Sequence, residues 1–200
     1  PIAVSCAGFV PFAMHAKDDG SYGYEMEIIV KADSPIQSPS EIKGRTLAFT
    51  SPTSSSGFKA PSAILKGEFD LIADRDFTPT FSGKHDNSIL GVYNGDYEIA
   101  SVANSVLQRM IRRGVIEEGK LRAVYRSPTF PTTGYGHAHN LHPELVAKIK
   151  AAFFTWDFDD DPLYKKEFAK ADRFIGIRHM NDWAVIRQID KANGVSYDCK

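Results

Sequence analysis

The chain has almost no net charge and no long hydrophobic run. Its 200 residues include 24 basic and 25 acidic side chains, and neither sign is collected in a long block. Such a mixed surface lacks the electrostatic footprint of a protein that binds nucleic acid or a membrane surface. No apolar run approaches the roughly 18 to 20 residues that span a bilayer, and no charged-then-apolar leader opens the sequence. We therefore expect a soluble globular chain without nucleic-acid partners or membrane insertion.

Cysteine is also scarce. Cys6 and Cys199 lie at opposite ends of the chain, and neither belongs to a Cys-x-x-Cys pair. Two isolated cysteines do not make a disulfide scaffold, which favours free, buried thiols over a bond that would close nearly the whole chain. The sequence leaves the disulfide state open, and the two cysteines do not reveal the compartment.

Several catalytic and nucleotide-binding motifs are absent. No Gly-x-Ser-x-Gly elbow occurs, which argues against a serine hydrolase. The hydroxyl-rich segment near residue 54 lacks the Gly-rich lead and the Gly-Lys-Ser/Thr ending of a phosphate-binding P-loop. The sequence indicates no cofactor.

The apolar pattern predicts an α/β fold. Hydrophobic residues make up 42% of the chain, enough for one large domain or two small lobes. Short apolar runs alternate with helical periodicity from residue 24 to 126, which predicts a mostly parallel sheet, and helices dominate afterwards. Strands are predicted at 2–6, 24–30, 45–50, 77–81, 97–102, 121–126 and 174–177. Helices are predicted at 38–44 (a single turn), 56–68, 88–93, 102–114, 143–156, 162–171 and 181–192.

Hydroxyl side chains cluster between a predicted buried strand and the helix that follows it. The strand ends in the apolar run 47–49, and Ser54, Ser55 and Ser56 come shortly after it. The first amides of a helix lack intrahelical acceptors, so this position can bind a phosphate-like anion, and serine hydroxyls add donors. Alternatively, one of these residues is an ordinary N-cap. Because a helix needs only one cap, the run of three favours an oxyanion site.

Five segments carry a resemblance to a known family. They occur in the order typical of PhnD-like substrate-binding proteins of phosphonate and phosphite ABC transporters, and the similarity covers about residues 20 to 195. The segments are Asp19-Gly20-Ser21-Tyr22-Gly23-Tyr24, Asp33-Ser34-Pro35-Ile36, Ser51-Pro52-Thr53-Ser54-Ser55-Ser56-Gly57-Phe58, Gly83-Lys84-His85 and Ser127-Pro128.

The resemblance implies a type II periplasmic-binding-protein fold, in which two α/β lobes are joined by two crossing strands. By that resemblance, residues 24–30 and 133–139 are the crossings, and residues 31–132 form one complete lobe. Residues 1–30 and 133–200 would then form a partial first lobe, because the family's N-terminal segment has no counterpart before Pro1. We expect the incomplete lobe to expose apolar surface and to favour self-association.

The resemblance also implies a function and a site. The protein would bind a small phosphorus oxyanion, such as phosphite, methylphosphonate or phosphate, and deliver it to an ABC permease from the periplasm or cell envelope. The three serines and His85 match the family's anion-binding residues, and Thr133 and Tyr135 are further ligand candidates. His85 is expected to donate a charge-assisted hydrogen bond. Ser105 and Thr133 align with the acidic residues that hold the amine of aminoalkylphosphonates, which favours a ligand without an amine.

Three other interpretations stay open from the sequence. Arsenite-binding members of the superfamily use a cysteine thiolate, and Cys6 is the candidate here, although its position at a predicted strand end favours a small buried hydrophobe. A phosphoester hydrolase would use the serine loop as nucleophile and His85 as base, but no orienting acid accompanies them. A metal site would use a group of histidines or a group of aspartates, although neither group has the full ligand pattern of a zinc or calcium site. The histidines are His137, His139 and His142, and the aspartates are Asp157, Asp159, Asp160 and Asp161.

Overall fold

The computed structural model describes residues 1–160 and 171–199. The chain forms two compact units. The first comprises residues 1–23, 130–188 and 195–200, and the second comprises residues 24–129 and 189–194. No helix in the described residues is long and apolar enough to cross a membrane.

Helices and strands alternate through the middle of the chain. The strands are β1 Phe9–Ala16, β2 Met26–Lys31, β3 Thr46–Phe49, β4 Thr78–Phe81, β5 Ile99–Ala103, β6 Leu121–Arg126, β7 Gly134–Ala138 and β8 Arg173–Gly176. The α-helices are α1 Ile2–Cys6, α2 Ala60–Phe69, α3 His85–Asn94, α4 Asn104–Arg112, α5 Pro143–Phe154, α6 His179–Asp182 and α7 Ala184–Ala192. A 3-10 helix spans Pro39–Ile42, and a π-helix at Ser55–Lys59 leads directly into α2.

The second unit is built on a five-stranded sheet of order β4-β3-β5-β2-β6. Strand β3 pairs in parallel with β4 and β5, whereas β2 runs antiparallel to both β5 and β6. The expectation of an α/β fold is confirmed, and the reversal of β2 makes the sheet mixed. Apolar side chains of β2, β3 and β5 form one core cluster with α3 and α4, namely Ile29, Ala48, Ile89, Val92, Ala100, Val102, Leu107, Met110 and Ile116.

The first unit contains a smaller sheet of order β7-β1-β8, with both pairs antiparallel. Aromatic rings dominate its packing. Phe153 of α5 lies 4.8 Å from Phe174 and 5.4 Å from Tyr135, measured between ring centroids. Helix α5 has no buried residue, and its Leu145 and Phe154 side chains are exposed.

Two sequence predictions at the amino terminus are wrong. Residues 2–6 form the single-turn helix α1 instead of a strand, because five residues are too few for periodicity to distinguish the two. Strand β1 was not predicted, since Pro11 interrupts its apolar run. The structure accommodates this proline at a register shift between Pro11 and Ala13, where a bulge removes the need for a ladder hydrogen bond.

Other boundaries also differ. Helix α3 begins at His85, three residues before the predicted start, and the helix predicted at 181–192 is divided at Trp183 into α6 and α7. The helix predicted at 162–171 falls almost wholly on residues outside the described ranges. The remaining predicted elements of the second unit agree with the structure to within a few residues, including β6 at Leu121–Arg126.

The expectation of free thiols is wrong, because Cys6 and Cys199 form a disulfide. Their Cα atoms are 5.2 Å apart although 193 positions separate them in sequence. Both residues belong to the first unit, which therefore contains both ends of the chain. Spacing along the sequence gave no information about this approach, since tertiary structure alone brings the two ends together.

The observed units differ from the predicted lobes at their edges. Residues 24–30 were assigned to the first lobe, but β2 is hydrogen-bonded on both sides within the sheet of the second unit. Residues 189–194, at the end of α7, also belong to the second unit. The assignment of these units to the two lobes of the family stays a prediction.

Candidate functional site

The candidate site lies at the carboxyl edge of the second unit's sheet. Strands β3, β4 and β5 run parallel and are adjacent, and each is followed by a helix. The three helix starts, at Ser55, His85 and Asn104, therefore occur at the same edge of the sheet. In open α/β sheets this edge is where ligands bind, because unpaired amides and the positive ends of helix dipoles point towards it.

The three serines of the hydroxyl cluster have different roles. Ser54 is the N-cap, since its Oγ accepts a hydrogen bond from the Gly57 amide at 3.0 Å. Ser55 is half-buried at the first position of the π-helix. Ser56 is buried, its carbonyl accepts a hydrogen bond from Ser101 Oγ at 3.0 Å, and its side chain is hydrogen-bonded to Tyr24. The interpretation of an ordinary cap is thus correct for Ser54 but does not account for the other two.

Gly57 allows the helix to start close to the end of β3. A Cβ atom at this position would lie 1.9 Å from Thr50 Oγ1 and 2.7 Å from Thr50 Cβ. The amide of Thr50 donates to the Gly57 carbonyl at 3.1 Å, which closes the loop. Thr50 is buried, and its Oγ1 has no hydrogen-bond partner. The loop geometry therefore depends on glycine, because any side chain at position 57 would displace the helix from the strand.

The loop between β4 and α3 is joined to the serine loop. The Gly83 amide donates to the Thr50 carbonyl at 2.8 Å, and the Ser82 amide donates to the Phe49 carbonyl at 2.9 Å. Ser82 Oγ also lies 2.6 Å from Ser88 Oγ in the first turn of α3. These bonds continue the β3–β4 pairing beyond the sheet, so the starts of the two helices are held in a fixed relation.

His85, the first residue of α3, is oriented by β5. Its Nδ1 accepts a hydrogen bond from the Ala103 amide at 3.1 Å. Burial lowers the pKa of His85, and Arg109 lowers it further, while Asp86 raises it. An imidazole that accepts a hydrogen bond at Nδ1 carries no proton on that nitrogen. In an imidazolium, by contrast, both nitrogens carry a proton and act as donors. The hydrogen bond that we expect His85 to donate to an anion stays a prediction, and its donor would be Nε2, because Nδ1 accepts from the Ala103 amide.

Two of three cationic side chains near these helix starts are ion-paired. Lys59, in the π-helix, lies 3.5 Å from Asp190 Oδ1, and Arg109 of α4 lies 3.3 Å from Asp86 Oδ1. The third, Lys84, precedes α3 and is exposed to solvent. The other donors at this edge are backbone amides, hydroxyls and the imidazole of His85. Such groups can bind an anion by hydrogen bonding.

Thr133 and Tyr135 lie in the first unit, whereas the serines and His85 lie in the second. Thr133 is exposed just before β7. Tyr135 is part of the aromatic packing of the first unit, and its hydroxyl lies 3.2 Å from His15 Nε2. Packing and this hydrogen bond account for Tyr135 without a ligand, so a binding role for either residue stays a prediction of the sequence.

The competing interpretations find little support. The described residues include no group of three or more His, Cys, Asp or Glu side chains arranged for a metal ion. Cys6 is bonded to Cys199, so it presents no thiolate for arsenite, and that alternative is wrong for this disulfide-bonded form. For the hydrolase alternative, Ser54 Oγ caps the helix, and His85 Nδ1 accepts from the Ala103 amide instead of from a serine hydroxyl.

Sequence reasoning missed several residues that shape this edge. Tyr24 contacts Ser56, Ser101 supports the Ser56 carbonyl, and the Ala103 amide orients His85. Ser101 and Ala103 lie in the apolar run of β5, where no polar pattern distinguished them. In the sequence, Tyr24 stands out only as part of a family segment, two residues before the start of β2.

Known proteins resemble this chain in fold and in sequence. Solved structures show that the chain has a type II periplasmic-binding-protein fold. One is a binding protein component of an ABC phosphonate transporter from Pseudomonas aeruginosa, with a TM-score of 0.74 and 23% identity, covering 94% of this chain and 63% of that one. Another is PhnD1 from Prochlorococcus marinus in complex with methylphosphonate, with a TM-score of 0.75 and 16% identity, covering 96% of this chain and 74% of that one.

The chain belongs to the family of periplasmic substrate-binding proteins of phosphonate ABC transporters, whose family model matches residues 1–182. Among curated relatives, the phosphate-import protein PhnD of Mycolicibacterium smegmatis is 26% identical over 98% of this chain and 64% of its own length. The phosphonates-binding periplasmic protein of Escherichia coli is 29% identical over 77% of this chain and 46% of its own length. The chain therefore spans less than two thirds of the length of each of these two relatives. Both are transport proteins, not enzymes.

Proposed function

We propose that this chain captures a small phosphorus oxyanion at the carboxyl edge of the second unit's sheet and serves as the substrate-binding component of an ABC transporter. The proposed ligand residues are Ser54, Ser55, Ser56 and His85. One observation carries the proposal: His85 and the serine loop are both tied to the end of β5, through the Ala103 amide and Ser101 Oγ. These bonds bring donors from two successive helix starts to one edge.

The chemistry of that edge suits a tetrahedral oxyanion. Amides at a helix start and nearby hydroxyls can each donate to a different oxygen of the same anion. Hydrogen bonds to a charged acceptor contribute about 1.5 to 3 kcal/mol each, so a few of them support a micromolar affinity, which corresponds to about −8 kcal/mol. The summed hydrogen-bond energy must exceed this binding free energy, because ordering side chains and restricting the ligand both cost free energy on binding.

We propose phosphite, methylphosphonate or phosphate as the ligand. Related proteins carry names for phosphate import and phosphonate binding, and one solved relative holds methylphosphonate. By the family resemblance, Ser105, in the first turn of α4, and Thr133 stand where aminoalkylphosphonate binders have acids, and both are uncharged. A ligand amine would therefore lack a counter-charge, which favours ligands without one. We propose that the protein acts in the periplasm or cell envelope and delivers the bound oxyanion to an ABC permease. Nothing in the described residues supports self-association, and it is not proposed.

Isothermal titration calorimetry tests the proposal directly. We expect phosphite, methylphosphonate and phosphate to bind, with at least one dissociation constant in the micromolar range or below, and 2-aminoethylphosphonate to bind more weakly. Ser56→Ala should weaken every oxyanion alike, by about tenfold, because it removes a buried hydroxyl from the loop that all of them contact.

A second serine provides the matched control. Ser40 lies in the 3-10 helix of the same unit, is exposed and is remote in sequence from the serine loop. Ser40→Ala should therefore bind each ligand like the unmodified protein. Equal affinity of Ser56→Ala and the unmodified protein, with both folded by circular dichroism, would reduce the loop to a helix cap and refute the proposed site.

A further inference from the structure

The Ala103 amide determines which nitrogen of His85 carries the proton. Strand β3 pairs with β5 only at Leu47 with Ile99 and at Ala48 with Ala100. Farther along β5, β3 has turned into the serine loop, and the side chain of His85 provides the acceptor for the Ala103 amide at 3.1 Å. A backbone N–H can only donate a hydrogen bond, so Nδ1 must be the acceptor in this contact and carries no proton. The proton of the neutral ring then lies on Nε2.

The surroundings of the ring favour this neutral form. His85 is half-buried, and burial penalises the imidazolium. Asp86, the adjacent residue on α3, would favour a charged ring, but its carboxylate is paired with Arg109 of α4 at 3.3 Å. Arg109 in turn disfavours the charged ring. The charged neighbours on α3 and α4 therefore act in opposite directions, and burial, the largest cause, acts together with the Ala103 contact to favour the neutral ring.

The geometry points to His85 as a specificity-determining residue that is fixed in the neutral Nε2–H tautomer and donates that proton to the bound oxyanion without a formal positive charge. This inference rests on the proposed function for its ligand, but the tautomer is a property of the unliganded protein. A neutral donor affects which anion binds. The ring offers one N–H in a fixed direction, which an anion oxygen must meet, whereas a positive charge would attract any anion.

Nuclear magnetic resonance tests the tautomer without a ligand. Two-bond proton–nitrogen correlation spectra of the ¹⁵N-labelled protein distinguish protonated from unprotonated ring nitrogens, and His85→Gln identifies the signals of His85 by their loss. Near neutral pH we expect unprotonated Nδ1 and protonated Nε2, unchanged by saturating phosphite. An imidazolium pattern, or a proton on Nδ1, would overturn the inference.

Two substitutions test the donor by binding. Glutamine reaches the depth of Nε2 and can place an N–H there, whereas asparagine ends near Nδ1, where its carbonyl can accept from the Ala103 amide, and places no N–H at the depth of Nε2. In phosphite titrations by calorimetry, His85→Asn should bind roughly tenfold more weakly or worse, and His85→Gln should retain much of the affinity. A His85→Asn variant that binds as tightly as the unmodified protein would refute the donor role.

The two measurements separate failure of this inference from failure of the proposed function. If no phosphorus oxyanion binds the unmodified protein, the proposed function is refuted together with the donor role, whatever the spectra show. If phosphite binds but the spectra show an imidazolium, the oxyanion site stands and the inference about His85 is wrong. A neutral Nε2–H ring together with weak binding by His85→Asn supports both.

Discussion

The two units of this protein are stabilised in different ways. The second unit buries aliphatic side chains of β2, β3 and β5 beneath α3 and α4, and Ile29, Ile89 and Ile99 are fully buried. The first unit has a three-stranded sheet, an aromatic cluster and a disulfide, and its helix α5 buries no residue. The unit with the continuous aliphatic core therefore also carries the candidate polar edge. The hydrogen bonds of that edge join the ends of β3, β4 and β5, and side chains of β3 and β5 also pack against helices in the core.

The largest expected effect tests the difference in cores. Ile89 lies fully buried in α3, so Ile89→Ala should lower the free energy of unfolding by about 2–5 kcal/mol through lost burial and a residual cavity. Leu145→Ala in α5 removes a side chain that is 47% exposed and should change it by about 0.5 kcal/mol or less. Urea denaturation measures both. Equal effects would show that α5 has a buried contact and would remove the contrast between the units.

The disulfide should have the next largest effect, and it should act on the first unit. Cys6 and Cys199 are 193 positions apart, so their bond restricts the unfolded chain strongly. Its reduction, or the double substitution of both residues by serine, should cost about 2–4 kcal/mol. Hydrogen exchange should show the loss of protection in β1, β7 and β8, with β3 and β5 little affected. Uniform loss across both units would indicate one cooperative structure.

Ser54 separates the cap from the anion site within the second unit. Ser54→Ala should destabilise the helix start by about 1 kcal/mol, because the Gly57 amide loses its acceptor. Ser54→Asp should retain the cap, and thus stability, while its carboxylate repels an anion at the same helix start. Thermal unfolding and phosphite calorimetry on the two variants measure the two effects independently. Unchanged phosphite affinity in Ser54→Asp would place the anion elsewhere.

The smallest expected effect is on how the free energy of unfolding depends on pH, and it involves one histidine in each unit. Burial lowers the pKa of His15 in the first unit, and burial is also the largest cause of the lowered pKa of His85 in the second. When the folded pKa lies below the unfolded value, the unfolded chain binds more protons, so stability is lost as pH falls below about 6.5. The His15→Gln and His85→Gln variants should each lose less stability on acidification than the unmodified protein.

The double variant should retain some of this slope, because burial also lowers the pKa of His179. Denaturation curves measured from neutral pH to about pH 5 check the expectation. A steeper acid dependence in either single variant would contradict the direction of the corresponding pKa shift.

Much of the second unit could be predicted from its sequence, and less of the first. Short segments such as the strand Leu121–Arg126 and the capped turn after Ser38 specify their structure locally, because strand propensity and capping act over a few residues. Strand β1 was missed because Pro11 breaks its pattern, and only its two neighbouring strands and a bulge make it a strand. For the site, hydroxyl clustering and the family resemblance indicated the serines and His85, but not Tyr24 or Ser101.

The sequence by itself determined the α/β alternation, the apolar faces and the serine-rich helix start, since these depend on residue types at short spacing. Tertiary structure decided that Cys6 meets Cys199, that Ser101 supports Ser56 and that the Ala103 amide fixes the proton of His85. Each of these contacts joins residues far apart in the chain. Their proximity follows from strand order and helix packing, which no local pattern encodes.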